Sequence, residues 1–137
     1  MANVLILEDD EEQAQVLRGH LIMHGHKALI AYSATEAVSH LNGFAADIAL
    51  VDLIIRHGDQ MVADGGLRFL HMIRSSHAHQ TLPVIVTTGV STLLAQDMGL
   101  WLKTYAVTQI LQKPFNMAKL AQNIESLIQA EGPPATV

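Results

Sequence analysis

The chain has 137 residues, half of them hydrophobic, which is enough for one domain around one substantial core and too few for two. A formal charge of −5 with only eight scattered Lys and Arg residues excludes the basic footprint that nucleic acid requires of a protein as its main partner. Cysteine is absent, which excludes disulfides and thiolate metal sites, and no apolar run has the flanks of a leader or the length of a membrane span, so a soluble cytoplasmic protein with no membrane partner is expected.

Short apolar runs alternate with longer stretches of helical period, the pattern of an α/β fold around a buried parallel sheet. The first run, Val4 to Leu7, predicts a strand and meets five consecutive acids, Glu8 to Glu12. From Glu12 to Met23 a helix is expected with Val16, Leu17, His20 and Leu21 on one face, ended by His24-Gly25-His26. Ala28 to Ala31 is the second strand. Ser33-Ala34-Thr35-Glu36 then has capping-box spacing and opens a short helix towards Leu41, stopped by Asn42-Gly43. The third strand, Ile48 to Val51, runs into Asp52. Asp64-Gly65-Gly66 leads into a third helix carrying Leu67, Leu70, Ile73 and Arg74. Val84 to Thr87 is the fourth strand, Thr92 to Tyr105 the fourth helix, and Ile110-Leu111 the fifth strand. Asn116 caps a fifth helix in which Leu120, Ile124, Leu127 and Ile128 share a face, until Gly132-Pro133-Pro134 halts it. Residues 1–131 are therefore the expected domain and 132–137 a tail.

Right-handed crossovers in such a sheet bring the carboxyl ends of the strands to one edge, and ligands bind there. Glu8, Asp9 and Asp10 follow the first strand, Asp52 the third, Thr87-Thr88-Gly89 the fourth and Lys113-Pro114-Phe115 the fifth. Carboxylates from two strand ends repel unless a cation sits among them, and oxygen-only ligation favours a hard ion such as Mg²⁺. A carboxylate so placed can attack phosphorus to give an acyl phosphate, while metal and ammonium neutralise the phosphoryl oxygens and a hydroxyl holds one of them. Asp52, the leading acids, Lys113 and Thr88 supply those parts. The plainer reading of the acidic run is a helix start that suits the dipole, and it suffices for Asp10, Glu11 and Glu12. The histidine pairs His20/His24 and His77/His79 lack an obvious third ligand and are read as surface or packing residues.

The segments VLILEDDE, DIALVDL, PVIVTTG and QKPF, in that order at strand ends, resemble the receiver domain of response regulators in two-component signalling, over residues 3 to 130. The resemblance implies a flavodoxin-like (βα)5 three-layer sandwich whose five-stranded parallel sheet has the order 2-1-3-4-5. It implies Asp52 as the phosphorylated residue, Asp9 as a direct Mg²⁺ ligand, Glu8 acting mainly through water, and the carbonyl of Ile54 completing the protein's share. Thr88 would bond the phosphoryl group, Lys113 would pair with Asp52 or its phosphate, and the proline after the lysine is usually cis in this family. The implied partners are a sensor histidine kinase or phosphotransfer protein and a downstream protein target, with a homodimer as a further option. That target would be reached through the face of the fourth helix, fifth strand and fifth helix. With no room for a DNA-binding output domain, a stand-alone receiver is the expected unit; a phosphorelay intermediate or a receiver cut from a longer chain is equally allowed.

Two features depart from the family pattern. The connection from Ile54 to Gly66 is longer than usual, with Arg56 where a proline is common, and either covers the pocket, presents Asp59 and Asp64 to a partner, or is a tolerated surface insertion. Ile110 stands where a Tyr or Phe commonly turns inward, and Leu100, Trp101 and Leu102 in succession cannot all face one core. The alternatives are a phosphohydrolase of the haloacid dehalogenase type, whose nucleophile follows the first strand in a DxD pattern, and a non-phosphorylated adaptor.

Overall fold

The computed structural model describes residues 1–53, 55–57, 60–62, 64–89 and 103–130. In chain order the elements are β1 (Asn3–Leu7), α1 (Glu11–Met23), β2 (Lys27–Ala31), α2 (Ala34–His40), β3 (Ile48–Asp52), β4 (Ile55–His57), β5 (Gln60–Val62), α3 (Asp64–Arg74), β6 (Val84–Thr88), β7 (Gln109–Gln112) and α4 (Met117–Ala130). Five strands form one parallel sheet in the order β2-β1-β3-β6-β7, the order implied by the sequence resemblance. Most of the fourth predicted helix, with Leu100, Trp101 and Leu102, lies outside the described residues, as do Ile54 and the 132–137 tail.

Alternation along the strands divides the core in two. Leu5, Leu7, Ala49, Val51, Val84 and Val86 pack on one face of the sheet against Phe69, Leu70 and Ile73 of α3 and Ala34 and Ala37 of α2. Val4, Ile6, Ile48, Leu50 and Ile85 pack on the other against Leu17 and Leu21 of α1 and Leu120, Ala121 and Ile124 of α4. Every residue of β3 and β6 is buried, because helices cover both faces of a central parallel strand, whereas β2 and β7 at the edges are only partly covered.

Local chemistry sets the helix ends. Asp10 caps α1, its side chain accepting the Gln13 N–H at 3.0 Å, so the helix begins at Glu11, one residue before the sequence expectation. Gly25, with φ +85°, supplies the left-handed residue that stops it. Ser33 accepts the Glu36 N–H, and the Glu36 carboxylate reaches back to the Tyr32 N–H rather than that of Ser33. Asn116 accepts the Lys119 N–H and opens α4.

The long connection after β3 folds as an antiparallel hairpin, β4 against β5, forming a separate two-stranded sheet that the sequence reading did not anticipate. Ile110 is a half-buried member of the cluster that includes α2 and α3.

Arg74 ends α3 by gripping four backbone carbonyls. Its Nε donates to Tyr105 O at 2.7 Å, Nη1 to His79 O and Gln80 O at 3.2 Å each, and Nη2 to Ala106 O at 3.3 Å. The guanidinium thereby ties α3 to the turn that feeds β7, where Ala106 holds a left-handed φ of +51°. Replacing Arg74 by Met, of similar reach without donors, leaves these carbonyls unpaired and is expected to cost roughly 2–3 kcal/mol of stability in urea unfolding.

Candidate functional site

β1 and β3 are neighbours, with Leu7 opposite Val51, so the next pair in that register sets Glu8 beside Asp52 at the carboxyl edge. The Glu8 N–H still donates to Ala31 O at 3.1 Å, which carries the strand geometry one residue past β1. Glu8, Asp9 and Asp52 each offer a carboxylate oxygen within 4.8 Å of the others. Glu8 and Asp52 are 5% and 7% exposed, too buried for two like charges to coexist without a cation.

Lys113 supplies a permanent one. Its backbone N–H donates to Thr88 O at 2.7 Å, which anchors the residue after β7 to the end of β6, and the following peptide bond to Pro114 is cis. Its Nζ then reaches Glu8 Oε1 at 2.6 Å, Asp52 Oδ2 at 3.0 Å and Gln13 Oε1 at 3.0 Å. Burial alone would lower the Lys113 ammonium, but the hydrogen bonds and charges of Glu8 and Asp52 outweigh it and hold its pKa above the ordinary value.

Glu8 is the strained member. Burial, aided by the hydrogen bond and charge of Asp52 and opposed by Lys113, pushes its carboxyl from the ordinary 4.5 up to about 7. Its second oxygen, Oε2, is buried with no hydrogen-bond partner among the described residues. A proton shared with Asp52 or a hard cation would satisfy that oxygen, and three converging carboxylates with one orphaned lone-pair site suit an oxygen-ligated divalent ion.

Thr88, fully buried at the end of β6, lies one residue beyond Thr87, the register partner of Asp52. Thr88 therefore stands at the same edge and fixes the Lys113 backbone. Thr87 lines a cavity of about 400 Å³ together with Glu8, Gln13 and Lys113, and its mostly apolar lining includes Leu17 and Phe115. Of the residues singled out from the sequence, Glu8, Asp9, Asp52, Thr88 and Lys113 thus converge on one edge, and Ile54 falls outside the described residues. Asp10 stays out of the cluster as a helix cap.

Sequence reasoning missed two residues. Gln13 touches the Lys113 ammonium, and the Asp10-x-x-Gln13 spacing, which resembles a capping box, was the legible sign that its side chain has work near the helix start. Gly66 is the other. A Cβ there would lie 2.6 Å from Asp52 O and 2.8 Å from Leu53 Cα, so the first turn of α3 can press against the end of β3 only because position 66 has no side chain.

The family model for the response regulator receiver domain matches residues 4–125. The transcriptional regulatory protein CpxR of Klebsiella pneumoniae is 30% identical over 94% of this chain and 50% of its own length, and the regulatory protein VanR of Enterococcus faecium is 25% identical over 92% and 49%. The chain spans about half the length of the curated relatives it matches. Among solved structures, the receiver domain of the Francisella response regulator 1452 superposes with a TM-score of 0.79 at 21% identity, covering 96% of this chain and all of that one. A CheY-like receiver domain protein from Methanospirillum hungatei superposes with a TM-score of 0.78 at 19% identity, over 95% of each chain.

Because the folded Glu8 pKa is raised, the folded state binds more protons than the unfolded one between about 4.5 and 7. The stability from this group is full below 4.5 and is lost as pH rises through 7, amounting to roughly 3 kcal/mol at most in metal-free buffer. Glu8→Gln is expected to lose less stability than the parent chain between pH 4.5 and pH 8, as read by urea unfolding. Gly66→Ala is expected to lower stability by roughly 1–3 kcal/mol in the same assay, because a backbone carbonyl rather than a flexible side chain must yield.

Proposed function

Because the chain belongs to the response regulator receiver domain family, we propose that it accepts a phosphoryl group on Asp52 from the phosphohistidine of a sensor kinase or phosphotransfer protein. The observation that carries this reading is the Lys113 ammonium held between Glu8 and Asp52 at the carboxyl edge of the sheet. It holds the buried Asp52 carboxylate at the strand end while storing, in the same place, the positive charge an incoming phosphoryl group needs.

In the transfer, an Asp52 oxygen forms the new O–P bond as the donor's N–P bond breaks. The electron pair leaves with the imidazole nitrogen, which takes up a proton from solvent. Lys113 follows the charge from the carboxylate to a phosphoryl oxygen, and the Thr88 hydroxyl donates to another. Glu8, Asp9 and Asp52 would hold Mg²⁺, with the Ile54 carbonyl as a further ligand. Bound there, the ion supplies charge neutralisation for the phosphoryl oxygens. The raised Glu8 pKa and its orphaned oxygen support this assignment, since a cation resolves both.

Transmission runs to a downstream protein through packing changes in the elements around Lys113, in the cytoplasm where kinase and regulator meet. Ile110 has no ring to swing, so the signal leaves by backbone and aliphatic packing rather than by an aromatic rotamer.

Acetyl phosphate with Mg²⁺ is expected to add one phosphoryl group to the intact chain, detected by mass spectrometry, and Asp52→Asn is expected to abolish the addition. Undiminished labelling of the Asn variant would move the acceptor to another residue. Rapid turnover of an added phosphate ester would instead support a hydrolase.

A further inference from the structure

We infer that Gln13 is a positioning residue for phosphoryl transfer, holding the Lys113 ammonium in register with Asp52; the inference rests on the phosphoacceptor reading above. A lysine ammonium has three N–H donors. Here the three acceptors are Glu8 Oε1 at 2.6 Å, Asp52 Oδ2 at 3.0 Å and Gln13 Oε1 at 3.0 Å, so Gln13 takes the one proton that the two acids leave. With that proton held, the other two are aimed at the carboxylates rather than shared among rotamers.

The glutamine is itself held. Asp10 accepts the Gln13 backbone N–H through Oδ1 at 3.0 Å and the Gln13 side-chain amide through Oδ2 at 3.3 Å. This grip orients the amide with its oxygen towards Lys113, although Gln13 is exposed, and reduces the rotamer freedom lost in making the contact. A strut thus runs from the cap of α1 through Asp10 and Gln13 to the ammonium at the end of β7, joining two elements far apart in sequence.

The chemistry of the third acceptor matters. A carboxylate at position 13 would add negative charge beside a site that must admit a phosphoryl group, whereas an amide oxygen orients the lysine with no net charge. As Lys113 exchanges the Asp52 oxygen for a phosphoryl oxygen, its bond to Gln13 persists as the pivot. Gln13 also lines the same cavity as Glu8 and Lys113.

The test is Gln13→Met, which keeps length and helix propensity but lacks the acceptor, with Gln13→Ala as a second variant in case Met packs into the cavity. Phosphorylation by acetyl phosphate at saturating Mg²⁺ is expected to slow on the order of fivefold in either variant. The Mg²⁺ concentration for half-maximal rate is expected to stay within about twofold of the parent chain, since Gln13 is not among the converging acids. The Lys113 ammonium protons, followed by NMR in the unphosphorylated chain, are expected to exchange faster with solvent, a signature that a helix-stabilising role alone would not move. Unchanged labelling rate and ammonium exchange, with Asp52→Asn still abolishing labelling, would overturn the role of Gln13 and leave the phosphoacceptor reading standing. A rate loss matched by an equal weakening of Mg²⁺ dependence would also overturn it, since the defect would then be structural. Failure of the parent chain to label would overturn both.

Discussion

Two carboxylates buried within hydrogen-bond reach of one ammonium are the constraint around which this molecule is organised. Desolvation of Glu8 and Asp52 would be prohibitive without Lys113, and Lys113 in turn is held charged by them. The balance is deliberately incomplete. One ammonium neutralises two acids only in part, with Asp9 near by, so the edge retains an excess of negative charge and an oxygen with no donor among the described residues. Three converging carboxylates in that condition could hold a cation.

Placing three side chains within a few ångströms from positions 8, 52 and 113 demands a stiff frame. The parallel sheet provides it through register, since β1, β3 and β6 are central and covered on both faces. Smaller devices refine the frame. Gly66 lets α3 abut the end of β3, the Thr88 carbonyl fixes the Lys113 backbone, and Arg74 ties the end of α3 to the turn before β7. Together these contacts link α3 both to the end of β3 and to the turn that feeds β7.

The hairpin after β3 and the aliphatic Ile110 show where this chain differs from the pattern its motifs resemble. The hairpin's strands are three residues each, separated by Gly58 and Asp59. A Gly-Asp pair between two short segments is a recognised hairpin signal, but triplets as brief as IRH and QMV carry too little alternation to stand out.

The sequence by itself determined the alternation of elements, the caps at Ser33 and Asn116, and the charged and hydroxylic residues at strand ends, because hydrophobic period and capping are local properties written over a few residues. The same locality made the motifs at Glu8, Asp9, Asp52, Thr88 and Lys113 legible in order along the chain. Only the tertiary structure decided that Lys113 lies 2.6 Å from Glu8 and 3.0 Å from Asp52, that Gln13 completes its hydrogen bonds, and that position 66 has no room for a Cβ. These facts depend on strand register and helix docking across separations of up to 105 residues, and no local pattern encodes a distance between segments that meet only when the sheet has formed.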